Sequence, residues 1–275
     1  RKPLQFMLML YIEFKDGTNT VVTTDGEWKY AQGPIIENSI YNGEIYDVRL
    51  EQPGWDQPGF DDSLWKHVKV VDTPRTMLSA QMIQPIKVIE DIKPKSVCEP
   101  KPGIWVFDFG QNFSGWCRLK VSGPAGTTVK MRFAELLYPD GTVNQENLRS
   151  AKATDTYILN GHGTEVYEPR FTYHGFRYVQ IEGFPGKPET DSVLGRVVHT
   201  AIEPRGSFKC SNELLNKIQS ACAWGERTNF HAVPTDCPQR DEKQGWLGDR
   251  SVVSLSESYL FDVAAFYTKW IQDIE

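Results

Sequence analysis

The chain has 275 residues, 40% hydrophobic and 24% charged, a globular composition that excludes disordered and fibrous classes and suits two or three domains. Its 30 Lys and Arg against 36 Asp and Glu form no basic stripe, which argues against a nucleic-acid partner. No run of about 18 apolar residues occurs, so no membrane-spanning helix is expected.

From the N-terminus the chain reads as strands and turns. Leu10–Phe14 and Thr20–Thr23 flank Lys15-Asp16-Gly17-Thr18, a hairpin signal. The stretch Phe6 to Tyr11 is too short for a signal sequence and has no small-residue cleavage site, and the compartment stays unassigned. Ile45–Leu50 alternates after Asn42-Gly43, and His67–Val71 is another β-branched run. Pro-rich punctuation at residues 93–103 suggests a domain edge. A second β block follows to about Thr200, with strands at Ile104–Phe109, Cys117–Val121, Val129–Ala134 and Phe176–Ile181. The short strands and regular turns suit sandwiches.

Near residue 206 the hydrophobic period changes from 2 to 3.6. Ser211 is the expected N-cap of a helix carrying Leu214, Leu215, Ile218, Ala221 and Cys222 as one apolar stripe. A second helix is expected over Val252 to Ile271. These stripes need partners, either on the β blocks or in residues that this chain does not contain, and the latter suggests a piece of a longer protein.

The intervening segment carries the chemistry. Asp236-Cys237-Pro238-Gln239-Arg240-Asp241-Glu242-Lys243-Gln244-Gly245-Trp246-Leu247-Gly248-Asp249 holds four carboxylates, one arginine and one tryptophan within 14 residues. A solvated charged loop is one reading. The other is a carbohydrate-hydrolase site, where crowded carboxylates and an apolar wall keep one carboxyl protonated while Arg240 holds its neighbours ionised. A large ring at Trp246 between two glycines fits the second reading better. Lys243 and Gln244 read as variable positions.

Other features take plainer readings. The five cysteines, with no CxxC or CxH spacing, read as free thiols without a metal site. His174 reads as a packed structural residue, Asp108 and Asn112 as turn stabilisers, and Trp55 and Trp65 as core.

The loop motif Asp236-Cys237-Pro238-Gln239-Arg240-Asp241-Glu242 followed by Gly245-Trp246-Leu247-Gly248-Asp249 resembles the signature of bacterial α-L-rhamnosidases of glycoside hydrolase family 78. So do Trp105 to Trp116, Thr172 to Val179, and Gly33-Pro34-Ile35 with Asn42-Gly43-Glu44, Gly54-Trp55 and Asp61 to Trp65. The resemblance implies a mainly β chain: two β-sandwich (jelly-roll-like) domains, over 1–92 and 93–203, followed at 204–275 by two α-helices that begin a truncated (α/α)6 barrel. Such a barrel needs on the order of 300 residues. The resemblance also implies hydrolysis of terminal α-linked L-rhamnose with inversion, on a rhamnose-containing glycoside or polysaccharide and without a cofactor. Glu242 matches the general acid. Asp236, Arg240 and Asp249 match residues bonding the sugar hydroxyls, Trp246 an aromatic wall, and Asp241 a supporting residue. The family's general base is a glutamate that comes later than residue 275, so the chain alone is expected to be inactive or nearly so. The competing expectation is a non-catalytic carbohydrate-binding or structural β-sandwich module; a weaker one is a related hydrolase acting on another sugar.

Overall fold

The computed structural model describes residues 4–72 and 78–275. The strands are β1 (Met9–Glu13), β2 (Asn19–Thr23), β3 (Lys29–Tyr30), β4 (Ile35–Ser39), β5 (Gly43–Asp47), β6 (Lys66–His67), β7 (Ile86–Ile92), β8 (Ser96–Lys101), β9 (Ile104–Ser122), β10 (Thr128–Ala134), β11 (Leu136–Leu137), β12 (Val143–Asn144), β13 (Thr154–Ile158), β14 (Thr164–Tyr167), β15 (His174–Glu182) and β16 (Val193–Thr200). Then come helix α1 (Glu213–Arg227), β17 (Phe230–His231), β18 (Val233–Pro234), α2 (Leu247–Leu260) and α3 (Ala264–Ile274). The chain is mainly β and ends in helices, as the sequence implies.

Two compact units form, Arg1–Gly33 with Leu50–Ser79, and Pro34–Arg49 with Ala80–Glu275. In the smaller unit β1 and β2 make the expected antiparallel hairpin, turned by Gly17 at φ 83°. Trp65 is half-buried edge-on against Phe60, but Trp55 is 63% exposed, so the packing expected of it does not occur.

The larger unit is built on a ten-stranded sheet in the order β4-β5-β13-β10-β15-β9-β16-β7, with β8 and β14 also on β9. The sequence suggests two strands at Ile104–Phe109 and Cys117–Val121; they are one 19-residue strand, β9. It pairs with β8 and then β16 along one edge, and with β15 and then β14 along the other. Strand β10 alternates as expected, burying Val129, Met131 and Phe133. The core is rich in phenylalanine: Phe113 and Phe176 lie 4.4 Å apart, and Phe133 is 4.8 Å from Phe176. Phe133 also stacks on His174, which is fully buried and 3.1 Å from Asp155 Oδ1. His174 is therefore structural. Asp108 serves a turn and an ion pair, accepting the Gly110 N–H at 2.6 Å and a two-pronged Arg177 contact at 2.8 Å.

Three helices stand where the sequence suggests two. Phe261 adopts extended geometry, forms a bridge with Pro204, and is followed by Asp262 donating its N–H to Glu203 at 2.9 Å; this tertiary contact splits the long apolar pattern into α2 and α3. The α1 cap also differs by one residue. Asn212, not Ser211, accepts the N–H groups of Leu214 and Leu215. A smaller core of Ile83, Ile202, Phe230, Phe261, Val263 and Phe266 lies under the helices. None of the helices among the described residues is long and apolar enough to cross a membrane.

Candidate active site

The charged loop is closed at its base and anchored at its centre. After the β17–β18 turn, Asp236 N–H donates to the Gln244 carbonyl at 3.0 Å, and Gln244 N–H donates to Asp236 Oδ1 at 3.0 Å. Lys243 adopts a left-handed φ of 50° and is buried. Its ammonium donates to the carbonyls of Ile40 and Tyr173, the latter at 2.7 Å, and lies 4.1 Å from the Tyr173 ring centre. Burial pushes its pKa down to about 7. On the Tyr173 ring His231 stacks at 3.7 Å, and burial pushes the pKa of its imidazole well down, so it adds no second charge.

Above this anchor the loop gathers four of the six expected residues. Glu242 Oε1 accepts the indole N–H of Trp246 at 3.1 Å. Its Oε2 lies 2.8 Å from Arg240 Nη2 and accepts from Arg149 Nη1 at 3.1 Å. The Glu242 carbonyl accepts the Tyr41 hydroxyl at 3.2 Å. Arg240 Nη2 is also 3.7 Å from Asp236 Oδ2, so one guanidinium faces two carboxylates. Burial alone would lower the Arg240 pKa; Cys237, Glu242 and Asp236 outweigh it and hold the pKa above the usual value. Asp236 is nearly enclosed, its side chain 5% exposed, whereas Trp246 is 47% exposed.

Asp241 and Asp249 stand apart. Asp241 accepts the backbone N–H of Ser150 at 3.1 Å and the Ser150 hydroxyl, which lower its pKa, the hydroxyl contributing most. It ties the loop to the turn at Arg149 and Ser150 rather than joining the Glu242 cluster. Asp249 is exposed in the first turn of α2, where a carboxylate suits the helix dipole; no side-chain hydrogen bond or ion pair ties it to the cluster among the described residues.

Asp236, Cys237 and Glu242 offer ligand atoms within 4.8 Å of one another. They suit a metal poorly, because Arg240 already brings positive charge to both carboxylates and burial raises the Cys237 thiol pKa, which keeps the proton on sulfur.

Sequence reasoning missed Lys243, Tyr41, Arg149 and Ser150. Lys243 reads from sequence as a variable position, and the other three contact the loop across 201, 93 and 91 residues of chain, so no local pattern marks them.

Comparison with known proteins agrees with this architecture. Residues 1–90 match the α-L-rhamnosidase N-terminal domain, 98–199 the bacterial α-L-rhamnosidase concanavalin-like domain, and 203–275 the bacterial α-L-rhamnosidase 6 hairpin glycosidase domain. An α-L-rhamnosidase of Streptomyces avermitilis is 48% identical over 98% of this chain and 26% of its own length. One from Formosa agariphila is 41% identical over 98% of this chain and 30% of its own length. Among solved structures, the α-L-rhamnosidase from Dictyoglumus thermophilum superposes with a TM-score of 0.95 at 46% identity, covering 98% of this chain and 30% of that one. The Streptomyces avermitilis α-L-rhamnosidase complexed with L-rhamnose gives 0.94 at 49% identity, covering 97% and 26%. The chain belongs to the bacterial α-L-rhamnosidase family, glycoside hydrolase family 78. It spans 26–30% of the length of these relatives.

Proposed function

We propose that the protein containing this chain hydrolyses terminal α-L-rhamnosides with inversion, and that Glu242 is its general acid. The observation carrying this reading is the Glu242 carboxyl held between the Trp246 indole and Arg240. The names of the relatives and the rhamnose complex of one of them support the sugar. Glu242 gives its proton to the glycosidic oxygen as the anomeric C–O bond breaks. A water activated by a second carboxylate attacks the opposite face, which requires a carboxyl separation of roughly 6.5–9.5 Å. Asp236, Arg240 and Asp249 bind sugar hydroxyls, Trp246 covers the apolar face of a deoxy sugar, and Asp241 supports the loop. The general base is a glutamate outside residues 1–275, and the domain division 1–92, 93–203 and 204–275 is retained. On this reading the chain alone is inactive or nearly so.

The test is hydrolysis of an alkyl α-L-rhamnoside, whose leaving group needs the proton, by the full-length protein, with the first-formed anomer followed by NMR. Loss of turnover in Glu242→Gln and initial release of β-rhamnose are expected. Retained activity removes the acid assignment, and initial α-rhamnose removes inversion. Robust turnover by residues 1–275 alone would show that the rest is dispensable. The exposed Trp55 favours a second reading, a sugar-binding module. Rhamnose calorimetry separates the two: loss with Asp236→Ala or Trp246→Ala supports the loop site, and loss only with Trp55→Ala supports the module.

A further inference from the structure

Two neighbouring residues of the turn after the short helix Glu146–Leu148 grip two neighbouring residues of the loop. Arg149 Nη1 donates to Glu242 Oε2 at 3.1 Å, and Ser150 donates its N–H to Asp241 Oδ2 at 3.1 Å as well as its hydroxyl. Arg149 ends the short helix Glu146–Leu148 in a left-handed conformation, φ 57°, uncommon for a residue with a side chain and held only where the surroundings impose it. Its side chain is 56% exposed, and an ion pair this exposed adds little to stability. Its effect falls on the geometry of Glu242. Oε2 faces two guanidinium groups, from Arg149 and Arg240, whereas among the described residues Oε1 takes its hydrogen bond from the Trp246 indole alone. A proton on Oε2 would point at two positive charges; one on Oε1 would not.

We propose that Arg149, which lies outside the loop signature, is a positioning residue that holds Oε2 of Glu242 and thereby reserves Oε1 for the transferable proton. This rests on the reading of Glu242 as the general acid. An acid held the wrong way round matters most for a leaving group that cannot depart unprotonated, and little for one that can.

The experiment compares kcat on an alkyl α-L-rhamnoside and on 4-nitrophenyl α-L-rhamnoside for the full-length protein and its Arg149→Ala, Arg149→Lys and Glu242→Gln variants. In Arg149→Ala, kcat on the alkyl substrate falls by about tenfold or more, and kcat on the nitrophenyl substrate stays within about threefold. Arg149→Lys recovers most of the loss, and the melting temperature does not move. Equal losses on both substrates, or none, while Glu242→Gln discriminates between them, overturn the role of Arg149 alone. If Glu242→Gln does not discriminate, the acid assignment itself falls and this inference with it.

Discussion

Lys243 and Tyr173 meet twice: the lysine ammonium donates to the tyrosine carbonyl at 2.7 Å and sits 4.1 Å from the centre of the same residue's ring. The residue just before β15 thus supplies both the acceptor and the aromatic face that an ammonium needs when it leaves water.

The pH dependence of stability reports this burial. The Lys243 pKa is about 7 in the fold against an ordinary 10.5, so between those values the unfolded chain holds a proton that the native chain has lost. Stability from this group therefore rises with pH across the window, by at most about 1.4 kcal/mol per pH unit, and is lost as pH falls through about 7. Lys243→Met lacks this component and costs a further ~1–3 kcal/mol by leaving carbonyls unsatisfied. Melting curves from pH 6 to 10 should diverge between parent and variant as pH rises; parallel curves would sink the prediction.

Trp246 contributes an N–H to Glu242 and a half-exposed ring, and the two can be separated. Trp246→Phe keeps an aromatic face but removes the donor, so kcat in the full-length protein should fall by about tenfold with KM nearly unchanged. Trp246→Ala should raise KM as well. Because the ring is half exposed, neither variant should shift stability by more than about 0.5 kcal/mol in a denaturant titration.

The pair His174 and Asp155 is fully buried, and Asp155 Oδ1 also accepts the Glu44 N–H at 3.0 Å. Asp155→Ala removes two acceptor contacts at once and should destabilise the larger unit by ~3–5 kcal/mol in urea unfolding. Asp155→Asn retains an acceptor oxygen and should cost less. Equal costs would mean that volume, not hydrogen bonding, sets the penalty.

What the sequence revealed and what it hid divide by range. The Asp16-Gly17 hairpin, the alternation of β10 and the stripe of α1 depend on neighbours a few residues apart, and all three form where expected. The Asp236–Trp246 signature likewise yields a real cluster. Lys243 shows the limit: its charge argues for solvent, and only docking against Ile40 and Tyr173 buries it. Phe261 shows another, since the break between α2 and α3 is made by Glu203 and Pro204 from a distant stretch of chain. The α1 stripe was legible as helix but not as core, with Leu214 66% exposed.

Two glycines should respond oppositely to alanine. At Gly115, where β9 passes β16, an added Cβ would lie 1.8 Å from the Arg196 carbonyl oxygen, so Gly115→Ala should cost upwards of about 4 kcal/mol or prevent folding. At Gly225, inside α1, nothing lies within 4 Å, and Gly225→Ala should stabilise by ~0.5–1 kcal/mol. Thermal denaturation of the two variants checks both signs.

Strands β4 and β5 carry a practical warning for anyone dividing this chain. They precede residues 50–79 of the smaller unit, yet β5 pairs in parallel with β13 of the larger sheet over Ile45 to Asp47. An expression vector starting at residue 80 would discard that edge, leave β13 with unpaired backbone groups open to self-association, and delete Tyr41, the hydroxyl that steadies the Glu242 carbonyl. A soluble, correctly assembled product needs the stretch 34–49 supplied, either in its native place or grafted through a redesigned junction.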